Sequence, residues 1–442
     1  MIKETKACCP ECLAILPGEK SVEGNDVYLL RTCPEHGFIK TLISRDAKRF
    51  FNKTFSSPRK DVHERQTKKE KGCPDDCGWC TEHKQHLCTS LIEVTGKCNL
   101  KCPVCYYGDK AGGDISFEEF KSRLDVVMRT ENDKLDVLQL SGGEPTLHAE
   151  FGRILDHAAS RGINRILINT NGLTMLSNEA LYEKVKSLKD RVELYLQFDG
   201  FNREAGVELR GEDLLDKKLK LLEKMDKDNI KSSLAATMYK KNLDETGQII
   251  ELAVKTKNIA GITFQRLTKT GWARNNGEAD VIHEDILASI DRSKFLKYDH
   301  IVPLPCSHEN CTSISFLFVA DEEVHPLAKY IDFAKHQAVI QNKIGFESTI
   351  LDYLKDHLSC GSGGCCSCIT DQMGPMKKIR EFTEGKASSY KNMKMLRIAV
   401  KNFMDAYTFD TERAEKCCVG VSAGNGKLIP FCVNNIFDRR RT

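Results

Sequence analysis

The chain has 442 residues, with 66 lysines and arginines against 63 aspartates and glutamates, a formal net charge of +3 and 40% hydrophobic residues. That is long enough for one large domain with appendages or for two to three domains. The near-balanced charge does not indicate nucleic acid, no run of about 18 apolar residues offers a membrane span, and Met1 to Ala7 lacks the apolar core of a secretory leader. The expected location is therefore cytoplasmic, where 20 cysteines read as metal ligands rather than disulfides.

In chain order, residues 1–55 read as a small metal module. Cys9-Pro-Glu-Cys12 and Cys33-Pro-Glu-His36 are ligand pairs each separated by two residues, joined by a hairpin-like segment around Asp26 to Arg31. Two such knuckles make a closed tetrahedral site for one zinc or iron ion, between which spacing does not choose, and Cys8 is an alternative to Cys9. So short a module has little core of its own, so the metal is expected to staple it.

Residues 56–90 read as a linker and an auxiliary cluster segment. Arg59 to Lys71 is highly charged and reads as a solvated linker or helix, with anionic headgroups at a membrane surface as a further reading. Cys73-Pro-Asp-Asp-Cys77-Gly-Trp-Cys80 then places thiols three and two residues apart, and Cys88 follows eight residues later. Four such thiolates predict a closed 4Fe-4S cluster suited to electron transfer.

From 91 to 290 strand-like and helix-like segments alternate. The strands are expected at Leu91–Val94, Val137–Ser141, Arg165–Thr170, Val192–Phe198, Ser232–Met238 and Gly261–Arg266, with helical patterns between them such as Phe117–Met128 and Leu214–Asp226. Six βα repeats imply a parallel sheet with right-handed crossovers, an α/β fold. Directly after the first strand, Cys98, Cys102 and Cys105 repeat the three-then-two spacing. Three ligands on one loop hold three irons of a 4Fe-4S cluster and leave the fourth open to a small molecule. About 40 residues on, the strand ending at Ser141 enters Gly142-Gly143-Glu144-Pro145, a turn that lets backbone approach a ligand. The earlier triplet at Cys73 remains the alternative open cluster, although only the later one follows a strand. Polar residues end the later strands: Asn169 and Asn171, Gln197 and Asp199, Thr237, then Gln265 and Arg266.

Residues 291–442 depart from the repeat. Cys306, Cys311, Cys432 and either Cys417 or Cys418 are expected to form a second auxiliary 4Fe-4S cluster, and the apolar stretches Ile314–Ala320 and 346–354 read as core or as the wall of an apolar tunnel. The loop holding Cys360, Cys365, Cys366 and Cys368 suits either a metal or a flexible lid.

The Cys98 triplet followed by the Gly-Gly-Glu-Pro turn resembles the radical S-adenosylmethionine (SAM) superfamily. The resemblance implies a partial, TIM-like (β/α)6 barrel in which the triplet's open iron chelates SAM, the Gly142-Gly143-Glu144 turn meets the methionine ammonium, and reductive cleavage yields a 5'-deoxyadenosyl radical. Where the family usually has an aromatic residue before the third cysteine this chain has Val104, and Tyr106 is the expected adenine contact. Asn169, Asn171, Gln197 and Arg266 then become SAM-lining candidates, with Asp199 chosen for the ribose. Over nearly its whole length, from the Cys9 knuckles to Ile429-Pro-Phe-Cys432, the order of motifs is similar to a group that includes tetraether lipid synthases and dihydropterin methyltransferases. This implies hydrogen abstraction from an unactivated carbon, carbon-carbon bond formation on a lipid chain, a ferredoxin- or flavodoxin-like electron donor and a peripheral membrane contact. Pterin methylation and peptide maturation are the competing activities.

Overall fold

The computed structural model describes residues 2–108, 112–275, 281–321, 323–343, 347–358, 378–379, 381–382 and 392–438. The loop with Cys360 to Cys368 lies outside these residues.

Residues 2–44 fold as an antiparallel meander of β1 (Ile2–Cys8), β2 (Ile15–Glu23), β3 (Asp26–Cys33) and β4 (Gly37–Ser44), paired in that order. Its first knuckle closes through the Leu13 N–H on Cys9 O and the Cys9 N–H on Ala14 O, both at 2.9 Å. The segment from 59 to 71 contains no helix and is not a free linker. Arg65 donates to the carbonyl of Cys80 at 2.6 Å and Thr67 to that of Asp76 at 2.6 Å, which ties it to the cysteine loop it precedes.

The alternating region folds as its periodicity predicts. β5 (Thr89–Thr95), β6 (Leu135–Gly142), β7 (Ile163–Thr170), β8 (Val192–Gln197), β9 (Ser232–Met238) and β10 (Ile259–Arg266) lie side by side in chain order, all parallel. The crossovers hold helices Phe117–Thr130, Phe151–Ala159, Glu179–Ser187, Leu215–Asp228 and Thr246–Lys255. Local chemistry sets their starts: Ser116 Oγ accepts the Glu119 N–H at 3.1 Å and Asn178 Oδ1 that of Leu181 at 3.0 Å. Strands buried on both faces carry Ile92, Leu138, Ile166, Leu194 and Leu234 into one continuous core.

The sheet does not end at six strands. From the C-terminal third, β14 (Met393–Lys401) adds in parallel beside β10 and β15 (Val419–Ser422) in parallel beside β5. Antiparallel β11 (Val302–Pro303), β12 (Thr312–Ala320) and β13 (Glu323–Pro326) extend one edge and β16 (Leu428–Pro430) the other. In β12, Ile314 faces a central cavity, while Phe316, Phe318 and Ala320 pack in a second core, so this stretch is both wall and core. The helix Glu347–Leu358 places Ile350 and Leu354 in the same second core. Among the described residues no helix is long and apolar enough to cross a membrane.

Candidate functional site

The carboxyl ends of the parallel strands open into a cavity of about 440 Å³. Cys98, Cys102 and Cys105 enter it from the loop after β5, facing the Gly142–Glu144 turn after β6. The two loops are fastened by backbone: Gly143 N–H donates to Thr95 O at 2.8 Å and Glu144 N–H to Lys97 O at 2.7 Å. A Cβ on Gly142 would lie 2.2 Å from Thr95 O and one on Gly143 2.3 Å from Lys97 O, so close approach to the cysteine loop requires both glycines. Gly271, after β10, is held in the same way against the carbonyl of Cys105.

Glu144 is buried, and its carboxylate is held from behind. Oε1 accepts from Thr146 Oγ1 at 2.5 Å and Thr170 Oγ1 at 2.7 Å, and Oε2 from Asn171 N–H at 2.8 Å. Burial pushes the carboxyl above its ordinary pKa, and these donors only partly offset it. Asn169 donates to Ser141 Oγ at 3.1 Å, and the Tyr106 hydroxyl meets the same oxygen at 3.3 Å. Asn171 donates to Asn99 Oδ1 at 2.7 Å, linking the end of β7 to the cysteine loop. Tyr106, Glu144, Asn169, Asn171 and Gln197 all line the cavity.

Two sequence candidates have other duties. Asp199 does not line the cavity; it lies behind Arg210, which holds it by Nε–Oδ2 and Nη2–Oδ1 bonds of 2.7 Å each while facing the cavity beside Cys102. Burial works against the guanidinium charge, but Asp199 and then Cys102 hold its pKa above the ordinary value. Arg210 was not singled out from sequence because it ends a helix, Arg203–Arg210, where the strand-end rule does not look; the αL glycine after it, Gly211, was the available signal. Arg266 does line the cavity, yet its guanidinium goes to Asp405 at 3.1 Å, Thr408 Oγ1 at 3.0 Å and Phe403 O at 3.2 Å, so it anchors the segment after β14.

The amino-terminal set is brought together as predicted: Cys9, Cys12, Cys33 and His36 place their donor atoms within 4.8 Å of one another. Cys12 and Cys33 sulfurs are 3.8 Å apart, and His36 Nδ1 lies 3.6 Å from Cys9 and 3.5 Å from Cys33. This donor set fits one tetrahedral ion. Cys8 is not an alternative, because its thiol is buried elsewhere and donates to Ala406 O at 3.2 Å.

The other cysteines are redistributed. Cys88 does not close a shell with Cys73, Cys77 and Cys80; it groups with Cys306 and Cys418, all three sulfurs lying within 4.8 Å. The cause is the added strand: β15 pairs with β5, and the Cys88 N–H donates to Cys418 O at 2.9 Å. The expected set of Cys306, Cys311 and Cys432 is split accordingly. Cys73, Cys77 and Cys432 border one apolar cluster with Met404 and Phe437, and Cys417, pushed up first by burial, also feels Cys432 and Cys311. Cys418 therefore lies with Cys88 and Cys306, while Cys417 feels the charges of Cys432, Cys418 and Cys311.

A cysteine triplet over the carboxyl ends of a parallel βα sheet, faced by a Gly-Gly-Glu-Pro turn, is the arrangement expected of a radical SAM site. Residues 92–253 match the radical SAM superfamily, and residues 1–45 match the HMPTM N-terminal zinc ribbon domain. The chain is similar over its whole length, and over 94% of the relative, to the 7,8-dihydro-6-hydroxymethylpterin dimethyltransferase of Methanocaldococcus jannaschii, at 28% identity. It is 27% identical over 48% of its length, and 46% of the relative, to the subtilosin biosynthesis protein AlbA of Bacillus subtilis. Streptococcus suis SuiB bound to its precursor peptide SuiA superposes with a TM-score of 0.41 at 16% identity, over 47% of this chain and 45% of that one. Residues 92–253 are thus a radical SAM domain, the kind that uses SAM and a 4Fe-4S cluster, and the chain is an enzyme.

Proposed function

We propose that Cys98, Cys102 and Cys105 hold the SAM-binding cluster, and that the enzyme removes one hydrogen atom from each of two unactivated carbons on long apolar chains, cleaving one SAM for each, and joins the two carbons. Bound there, SAM and the reduced cluster supply the 5'-deoxyadenosyl radical, since an unactivated C–H bond needs a primary carbon radical. The chain's own residues orient the cofactor. Gly142, Gly143 and Glu144 receive the methionine ammonium, Arg210 the carboxylate, Asn169, Asn171 and Gln197 the remaining polar edge, and Tyr106 the adenine. Cysteines beyond the triplet and the ribbon supply auxiliary centres, and a ferredoxin- or flavodoxin-like protein delivers the electron.

The observation that carries the substrate reading is the shape of the space. The main cavity has apolar walls including Leu91, Val137, Leu167 and Ile314, and a second cavity of about 460 Å³ shares Gly96 and Tyr107 with it. Two spaces that meet at Gly96 and Tyr107 offer more length than a single ring needs. A long-chain substrate would be met at a membrane surface, the peripheral contact expected from the sequence. The second reading, methylation of a pterin, is favoured by the name of the full-length relative.

The test is anaerobic. Iron-loaded protein with SAM, a strong reductant and a deuterated cell extract should release 5'-deoxyadenosine carrying deuterium taken from the lipid fraction. Label acquired from the water-soluble fraction, with a methylated ring as product, would replace the lipid reading by the pterin one. No 5'-deoxyadenosine from well-loaded protein would remove both.

A further inference from the structure

The large sheet is open, running from β11 and β12 at one edge to β15 and β16 at the other. Cys306 comes from the loop between β11 and β12, whereas Cys88 and Cys418 lead into β5 and β15. Three cysteines drawn from the two ends of the strand order thus meet across the seam of the barrel, their sulfurs within 4.8 Å and the residues 0–3% exposed. Thr89, Leu304 and Val419, their near neighbours in sequence, line the main cavity, so the group lies behind its wall.

Three converging thiols leave a metal centre one donor short. His86, also buried at 6% exposure, places Nε2 3.2 Å from Cys88 Sγ. Its Nδ1 lies 3.1 Å from Glu131 Oε2, and the other Glu131 oxygen accepts the Leu87 N–H at 2.7 Å, which fixes the carboxylate at the end of the helix Phe117–Thr130. A histidine whose second nitrogen is held by a carboxylate is the usual arrangement for a metal-ligating imidazole. Nε2 also lies 3.0 Å from Asn342 O and 3.5 Å from Lys60 Nζ.

We infer that Cys88, Cys306, Cys418 and His86 form a metal centre with three thiolates and one imidazole that staples the seam of the open barrel behind the cavity wall. Nε2 touches Cys88 but does not lie within 4.8 Å of all three sulfurs, so the ring must leave Asn342 O and turn toward Cys306 and Cys418 when the metal binds, with Glu131 holding its other nitrogen. This does not rest on the choice of substrate, and it is read from metal content and spectroscopy rather than from turnover.

The experiment compares anaerobically loaded protein, without SAM, with His86→Ala, His86→Cys, Cys306→Ala and His36→Cys, each grown on natural or ¹⁵N-labelled histidine. Iron and zinc per chain, X-ray absorption at both edges and pulsed EPR of the reduced protein are measured. His86→Ala and Cys306→Ala should lose the same amount of the same metal, and His86→Cys should restore it with a sulfur in place of nitrogen. The imidazole scattering or nitrogen coupling lost in His86→Cys should persist in His36→Cys. Iron or zinc at this centre is decided by which edge changes. The assignment is overturned if Cys306→Ala keeps the full metal content, or if His86→Cys retains the same nitrogen signal. It is equally overturned if His86→Cys folds but fails to recover the metal; should His86→Ala not fold, His86→Cys decides alone.

Discussion

Arg210 and Asp199 form a bidentate pair behind the Cys98 triplet, with Nε–Oδ2 and Nη2–Oδ1 both 2.7 Å, and the arginine rather than the aspartate faces the cavity. Asp199 further accepts the Thr237 N–H at 2.9 Å, so the pair is locked to the end of β9. Removing one partner leaves a buried charge. Arg210→Met should lower stability by about 3–5 kcal/mol. If Arg210 meets the SAM carboxylate, affinity for SAM should also fall by about 2 kcal/mol, roughly 30-fold. Arg210→Met with Asp199→Leu should recover much of the stability but none of the affinity. Thermal melts and equilibrium binding of SAM separate the two effects; recovery of affinity in the double variant would show that Arg210 serves only to pair Asp199.

Gly143→Ala tests the fastening of the two loops. Its Cβ would sit 2.3 Å from a backbone carbonyl, that of Lys97, which cannot move without displacing Cys98. The expected result is a folded protein with normal ribbon metal, less iron and little 5'-deoxyadenosine. Full iron content with normal SAM cleavage would mean that the loop tolerates the shift.

The fold was legible where periodicity repeats. All six of the expected parallel strands fall within two residues of their expected limits, because strands such as Leu135–Gly142 are rich in apolar residues, bury most of their length and sit between amphipathic helices. β14 and β15 were not legible, since nothing local tells a strand which edge of a sheet it will join; their pairing is decided by contacts with β10 and β5, far away in sequence. The same ignorance misplaced Cys88. Spacing assigned it to the Cys73 loop, whereas the docking of β15 brings Cys418 to it. The set held on two short knuckles, Cys9, Cys12, Cys33 and His36, was readable from spacing.

Lys394 gives a pH test that involves no metal. Its ammonium donates to the carbonyls of Ala253, Thr256 and Ile259 (3.1 Å for the last), capping the helix Thr246–Lys255. Burial pulls its pKa down to about 7, with Asp226 opposing. Between about pH 7 and the unfolded value near 10.4, the unfolded chain binds more protons than the folded one, so stability should rise with pH in that window. Urea unfolding as a function of pH should show this slope, reduced by up to about one proton in Lys394→Met. An unchanged slope in the variant would place the responsible group elsewhere.

The ribbon and the cavity are joined by the segment after β14, which makes the ribbon metal testable as a positioning element. Lys20, 2% exposed, pairs with Asp410 at 2.6 Å and Glu412 at 2.8 Å, and Arg31 donates at 2.9 Å to both Cys8 O and Tyr407 O. The same segment contributes Phe403 and Met404 to the cavity and Asp405 to Arg266. Loosening the ribbon should therefore be felt at the substrate wall. In Cys33→Ser, hydrogen exchange should quicken in residues 403–412 as well as in β1–β4, while exchange in β6 and β7 stays unchanged. Lys20→Met, which strands the nearly buried Asp410, should give the same pattern with the ribbon metal retained. Exchange confined to the ribbon in both variants would show that the two regions touch without being coupled.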